Sequence, residues 1–293
     1  MTVTDVNVVK SAIFERPDDA NKGTLGSLLC VCGSYGMAGA AVMSAKGALR
    51  TGIGLAKCAL PRSVYPIVAQ TILESVYYPL SENADGRISK VNVPFLVSES
   101  CKSSATLVGC GLGVCDDTLK IVFSFIENST TPLVLDADAL NCVAKQPEIL
   151  LRKKAPIIIT PHPGEMSRLT GLATPLVNAE RERVALDFAQ KYGVVTVLKG
   201  AGTVIASPNG KVLVNPTGNS GMATGGSGDV LAGTVASLVS RGINETVASA
   251  MAVYIHGLAG DIAKDKYGIE SVTASKVMEC IPCALRQILQ VEN

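Results

Sequence analysis

The chain contains no tryptophan, aromatic residues make up 4% of it, and charged residues only 17%. So few aromatics argue against a platform on which exposed bases stack. Lys and Arg number 26 against 25 acidic residues, a net charge of +1, and no basic stripe stands out anywhere. Nucleic acid is therefore a poor partner for this surface. Histidine is nearly absent, with only His162 and His256. The start, Met1-Thr-Val-Thr-Asp-Val-Asn7, lacks the charged-then-apolar layout of a signal peptide, and no apolar run reaches membrane-spanning length. These absences predict a cytoplasmic protein without a membrane partner.

What is present is apolar residue and glycine. With 47% apolar residues in 293, the chain can bury one large α/β core. We expect a single domain over 1–293, with 1–20 as an amino-terminal extension. Nine cysteines sit mostly inside apolar runs such as Leu28-Leu-Cys-Val-Cys32, where thiols act as small buried hydrophobes. Cys280-Ile-Pro-Cys283 has the spacing of a redox pair or half a zinc site, but no second pair accompanies it, so reduced structural cysteine is expected.

The strongest local signal is Asn219-Ser-Gly-Met-Ala-Thr-Gly-Gly-Ser-Gly-Asp229, running directly into an amphipathic helix with Val230, Leu231, Val235, Leu238 and Val239 on its apolar positions. Gly225, Gly226 and Gly228 allow successive N–H groups to line one concavity, and the free amides of a first helical turn add partial positive charge. That is an anion site, and phosphate is the usual anion. Asp229 places a carboxylate there, which suits a catalyst better than a receptor.

Along the chain, apolar strands repeatedly end in glycines. Residues 25–32 lead into Gly33-Ser-Tyr-Gly-Met-Ala-Gly39 and a small-residue helix over Ala40 to Arg50, read either as close ligand approach or as a tight turn. Strands are expected at Leu55 to Leu60 and Val76 to Leu80. Thr106 to Gly113 repeats the strand-glycine pattern, and a helix follows over Asp117 to Glu127. Pro132-Leu-Val-Leu-Asp-Ala-Asp138 carries Asp136 and Asp138 at a strand end, facing a ligand crevice or capping the helix from Ala139. Ala155 to Thr160 delivers His162 between two prolines, before a helix over Glu165 to Leu169. His162 is a candidate ligand contact; His256, inside a helical run over Val247 to Ala263, reads as structural. A helix over Asn178 to Lys191 precedes a strand tipped by Lys199, either a phosphate contact or a solvated rim residue. Val204 to Val214 forms a hairpin around Asn209-Gly210. The pattern is βαβα throughout: a doubly wound, mostly parallel α/β sheet with helices on both faces and a small antiparallel edge hairpin.

Gly33 to Ala40, Gly109-Cys-Gly-Leu-Gly113, Leu135-Asp-Ala-Asp-Ala-Leu-Asn141, Thr160-Pro-His-Pro-Gly-Glu165, Leu198-Lys-Gly-Ala-Gly-Thr203 and Gly221 to Gly233 together resemble the ADP/ATP-dependent NAD(P)H-hydrate dehydratases. The resemblance runs from about Asn21 to the carboxyl end. It implies a ribokinase-like fold and repair of hydrated nicotinamide: the S epimer of NADHX or NADPHX loses water at the expense of ADP, or less favourably ATP, with Mg²⁺ on the phosphates. It implies Asp229 as the base and the amides of Gly226, Ser227 and Gly228 as stabilisers of the transferred phosphoryl group. It makes Lys199, Gly200, Ala201, Gly202, Thr203 and Gly228 nucleotide contacts, and Ala40, Gly113, His162 and Asp229 substrate contacts. A separate NAD(P)H-hydrate epimerase is implied as functional partner, since Met1 to Lys22 is too short to hold one, and a homo-oligomer, possibly a tetramer, is expected. Cys110 and Ser220 stand where the family favours proline, which bears on loop rigidity and affinity without removing a polar group from the chemistry. A small-molecule kinase of the same superfamily, or a non-catalytic nucleotide-binding module, are the alternatives.

Overall fold

The computed structural model describes residues 2–4, 9 and 18–290; most of the expected amino-terminal extension lies outside them. The strands are β1 (Thr2–Val3), β2 (Ser27–Val31), β3 (Leu55–Pro61), β4 (Val76–Leu80), β5 (Ala105–Val108), β6 (Leu133–Leu135), β7 (Ile157–Ile159), β8 (Val195–Leu198), β9 (Val204–Ala206) and β10 (Val212–Val214). They form one sheet in the order β1-β10-β9-β8-β7-β6-β5-β2-β3-β4. From β4 across to β8 every pairing is parallel. The β9–β10 hairpin is antiparallel to β8 and stands at that end of the sheet, with only two-residue β1 outside it.

The helices are α1 (Ala38–Arg50), α2 (Tyr65–Ala69), α3 (Val93–Cys101), α4 (Asp116–Asn128), α5 (Asp138–Val143), α6 (Pro163–Thr170), α7 (Thr174–Ala179), α8 (Arg181–Tyr192), α9 (Ser227–Ser240), α10 (Glu245–Tyr267) and α11 (Ala274–Gln290). A strand turns successive side chains to opposite faces, so β2 sends Leu28 and Cys30 into one core with α1, α9, α10 and α11. Leu29 and Val31 enter the second core, with α4, α5, α6 and α8. Burial on both faces is why strands such as Ile157–Ile159 are apolar without alternation.

Helix bounds depart from expectation in two instructive places. The run expected as one helix over Asn178 to Lys191 breaks at Glu180 (φ −126°, ψ 42°), so that Arg181 begins α8 and turns inward. The helix expected from Glu165 begins at Pro163, because proline is tolerated in a first turn whose N–H needs no partner. α10 also corrects the expectation that no segment is apolar enough to span a membrane: by length and composition it is, and 67% of that window is buried in the protein. Its apolarity is used up in packing against α9 and α11.

α1 and α9 pack at backbone contact. Gly47 and Gly233 face each other's helices, and a Cβ on Gly233 would collide with the Ser44 carbonyl oxygen. This closeness anchors the start of α9 to the loop after β2. Chain order reverses between β2 and β5, so a crevice opens at their carboxyl ends, beside the ends of β6, β7 and β8.

Candidate active site

The crevice centres on Asp136, one residue past β6 and 1% exposed. Its Oδ1 accepts from Thr160 Oγ1 at 2.7 Å and from Lys199 Nζ at 2.6 Å. Lys199 leaves the end of β8 with its side chain 17% exposed, and its ammonium also lies 3.9 Å from Glu165 Oε2. Burial works against that charge, but the carboxylates of Asp136 and Glu165 outweigh it and hold the pKa above the ordinary lysine value. Lys199 is therefore not a solvated rim residue; it is a charged strut between β6, β8 and α6. Its Nζ also lies 3.3 Å from where a Cβ on Gly228 would be. So the ends of β6 and β8 meet the first turn of α9.

Asp229 is the third residue of α9. A helix amino terminus favours its charge, yet burial first, and then repulsion from Asp136, push its carboxyl up to about 6. The turn before it works as expected in part. Gly226 caps α9 at φ 89°, a left-handed conformation that a side chain would strain. Gly228, by contrast, is helical.

The thiol of Cys110, standing where the family favours proline, reaches the carboxylates. Its Sγ lies 3.7 Å from Asp136 Oδ2, and ligand atoms of Cys110, Asp136 and Asp229 fall within 4.8 Å of one another. The hydrogen bond of Cys110 with Cys32, then burial and the neighbouring carboxylates, raise its pKa and keep that thiol protonated. Ser220, at the second departure, begins a short 3₁₀ turn capped by Asn219, whose Nδ2 donates to Asp261 Oδ1 at 2.9 Å.

The remaining predicted residues surround this centre. Ala40 packs beneath the loop after β5, where a Cβ on Gly111 would meet its own at 2.7 Å. Gly113 donates its N–H to Asp138 Oδ2 at 2.8 Å, so Asp138 holds the loop. Neither Asp136 nor Asp138 caps α5, which corrects the capping alternative: Ala137 sits at the cap with φ 50°, and both carboxylates are engaged across the crevice. His162 caps α6 with Nδ1, accepting from Gly164 N at 3.0 Å and Glu165 N at 3.3 Å, while Glu165 Oε2 accepts from His162 N at 2.8 Å. Half of its side chain stays exposed toward the crevice rim. Burial and the cations Lys199 and Arg168 lower its pKa, so the ring is neutral. The cap and a ligand contact are thus compatible roles for one ring.

Lys199 to Thr203 form a loop closed by Thr203 Oγ1 donating to Gly200 O at 3.0 Å. Arg181 braces it from behind, with Nη2 donating to Leu198 O at 2.8 Å and lying 3.5 Å from Gly202 O. Sequence reasoning missed this arginine, because the pattern continued one helix through the break that turns it inward. A surface hollow of about 450 Å³ lined by Arg168, Asp187, Lys191 and Tyr192 contains none of Asp136, Lys199 and Asp229.

The sequence profile of the NAD(P)H-hydrate dehydratases matches residues 28–283. The chain belongs to this family. It is 40% identical over 273 residues to the bifunctional NAD(P)H-hydrate repair enzyme Nnr of Thermofilum pendens, covering 93% of this chain and 52% of that one. The chain thus spans about half the length of that relative. The solved ADP/ATP-dependent NAD(P)H-hydrate dehydratase from Bacillus subtilis, co-crystallised with ATP and Mg²⁺, superposes with a TM-score of 0.86 at 29% identity over 98% of both chains. The ribokinase of Thermotoga maritima shares the ribokinase-like fold alone, at 15% identity, a TM-score of 0.54, and coverage of 89% of this chain and 96% of that one.

Proposed function

We propose that this family member dehydrates the S epimer of NADHX or NADPHX to NADH or NADPH at the expense of ADP, with ATP the less favoured donor. The observation that carries the reading is Asp229, a half-buried carboxyl raised to about 6, in the first turn of a helix that begins against Lys199. Such a group is ionised at neutral pH yet basic enough to take a proton.

In this reading Asp229 receives the proton of the ring hydroxyl as its oxygen attacks the terminal phosphoryl group of ADP, and AMP leaves. The amides of Gly226, Ser227 and Gly228 face the charge that builds on the transferred group. The C–O bond to phosphate then breaks, phosphate departs with the electron pair, and loss of a ring proton restores the dihydropyridine. Lys199 and the loop to Thr203 hold the nucleotide, while Ala40, Gly113 and His162 line the dinucleotide's side. A resident Mg²⁺ does not fit the protein groups here: the trio of Cys110, Asp136 and Asp229 includes a soft thiol, and Lys199 already neutralises Asp136. Mg²⁺ would enter with the nucleotide phosphates. An NAD(P)H-hydrate epimerase would serve the R epimer as functional partner, in the cytoplasm; the nine free cysteines agree with a reducing compartment.

The test is product analysis. Incubation with ADP, Mg²⁺ and hydrated NADH is expected to restore the absorbance of reduced nicotinamide with release of AMP and phosphate. A stable phosphorylated alcohol would replace this reading with a small-molecule kinase.

A further inference from the structure

α10 lies behind the turn that precedes α9 and touches it with polar groups at three points. The Tyr254 carbonyl accepts from Thr217 Oγ1 at 3.0 Å, Asp261 Oδ2 accepts from Gly218 N at 2.9 Å, and His256 Nε2 lies 3.5 Å from Ser227 Oγ. The first two fix the loop before the turn. The third reaches the first residue of α9 itself, next to the left-handed Gly226 and two positions before Asp229.

His256 is 7% exposed and Ser227 8%, so both side chains are buried. Burial drives the imidazole pKa down to about 4, and Lys199 adds to that, while a hydrogen bond from the ring to the Ser227 backbone works the other way. The ring is therefore neutral at working pH and brings no second cation to a site that Lys199 already serves. A neutral imidazole nitrogen either donates to a serine hydroxyl or accepts from it, so the ring can pair with the Ser227 side chain in either tautomer. This gives a role to a buried histidine that the sequence pattern assigns to structure alone.

Building on the phosphoryl-transfer reading above, we propose that His256 is a positioning residue that locks Ser227, and with it the first-turn amides of α9, in the orientation that meets the transferred phosphoryl group. It touches neither substrate nor nucleotide. Its effect passes through Ser227.

The experiment is a double-mutant cycle on the full chain with His256→Leu, Ser227→Ala and the double variant, reading kcat, KM for hydrated NADH, Kd for ADP by calorimetry, and Tm. His256→Leu is expected to lower kcat about tenfold, a fraction of the loss when an oxyanion donor is removed outright, with Kd for ADP changed less than about threefold. His256→Gln, which keeps an N–H on the side chain, is expected to recover part of the loss. The double variant is expected to be no slower than Ser227→Ala alone. Additive losses, or an unchanged kcat in His256→Leu, would overturn the proposal. If His256→Leu does not fold, ¹⁵N spectroscopy of the imidazoles decides: the wild-type His256 signal must be neutral and must shift in Ser227→Ala. A charged ring or no shift refutes the contact. Wild-type protein without dehydration activity would instead overturn the underlying functional reading, an outcome seen before any variant is made.

Discussion

Asp229 gathers the tension in this site into one residue. Its position in a first helical turn favours the charged form, and its burial beside Asp136 opposes it more strongly. Two consequences can be measured. Asp229→Asn is expected to lower kcat by about 10²- to 10⁴-fold while calorimetry still shows ADP binding; unchanged turnover would remove Asp229 from its role as base. In the wild type, kcat/KM is expected to rise with pH through about 6 and then level off, because the base works only when ionised. Stability follows the same group with a definite sign. Its folded pKa lies above the unfolded value, so its contribution is fully present below about 4 and is lost as pH rises through 6. Asn carries no such loss. Thermal unfolding of Asp229→Asn is therefore expected to show a stability gain of about 1–3 kcal/mol at pH 8 that vanishes near pH 4.

At the level of elements, the site is a set of strand ends tied together by charge and a helix held by close packing. Lys199 joins the ends of β8 and β6 through Asp136, and its loss leaves a buried carboxylate unpaired. From sequence alone, Lys199→Ala should weaken nucleotide binding far more than it disturbs folding. The ion pair changes that expectation: the variant is expected to lose ADP affinity and also about 3–5 kcal/mol of stability. Adding Asp136→Asn is expected to return much of the stability, by denaturant unfolding, without returning ADP binding. The packing of α1 on α9 makes a separate claim. Gly233→Ala forces a methyl into the Ser44 carbonyl and is expected to cost about 2–3 kcal/mol by the same measurement. An unchanged midpoint would mean that the helices separate more easily than their backbone contact suggests.

For the whole molecule, the crevice lies where chain order reverses, between β2 and β5, and Asp136, Lys199, His162 and Asp229 reach it from the carboxyl end of a parallel strand or from the start of α6 or α9. A ligand seated there bridges elements from both cores, so binding should stabilise the fold as a unit. ADP at about one hundred times its Kd is expected to add about 2.7 kcal/mol and raise Tm by several degrees in a concentration-dependent way. A Tm indifferent to ADP would contradict the assignment of the Lys199 to Thr203 loop.

What the sequence determined by itself is the part governed by local rules. The strand-glycine-helix alternation, the hairpin at Asn209-Gly210 and the placement of Asp229 in a first turn all follow from side-chain periodicity and backbone freedom within a dozen residues. The candidate residues Lys199, Gly113, His162 and Asp229 were legible for the same reason: each sits at a strand end or helix start marked by glycine or proline. Only the tertiary structure decided which of these ends face one another. It paired Lys199 with Asp136 across 63 positions, set Cys110 between two carboxylates, turned Arg181 under the nucleotide loop and brought His256 to Ser227. Those contacts join residues far apart in the chain, and their strength comes from burial in a shared low-dielectric interior, which no local pattern encodes.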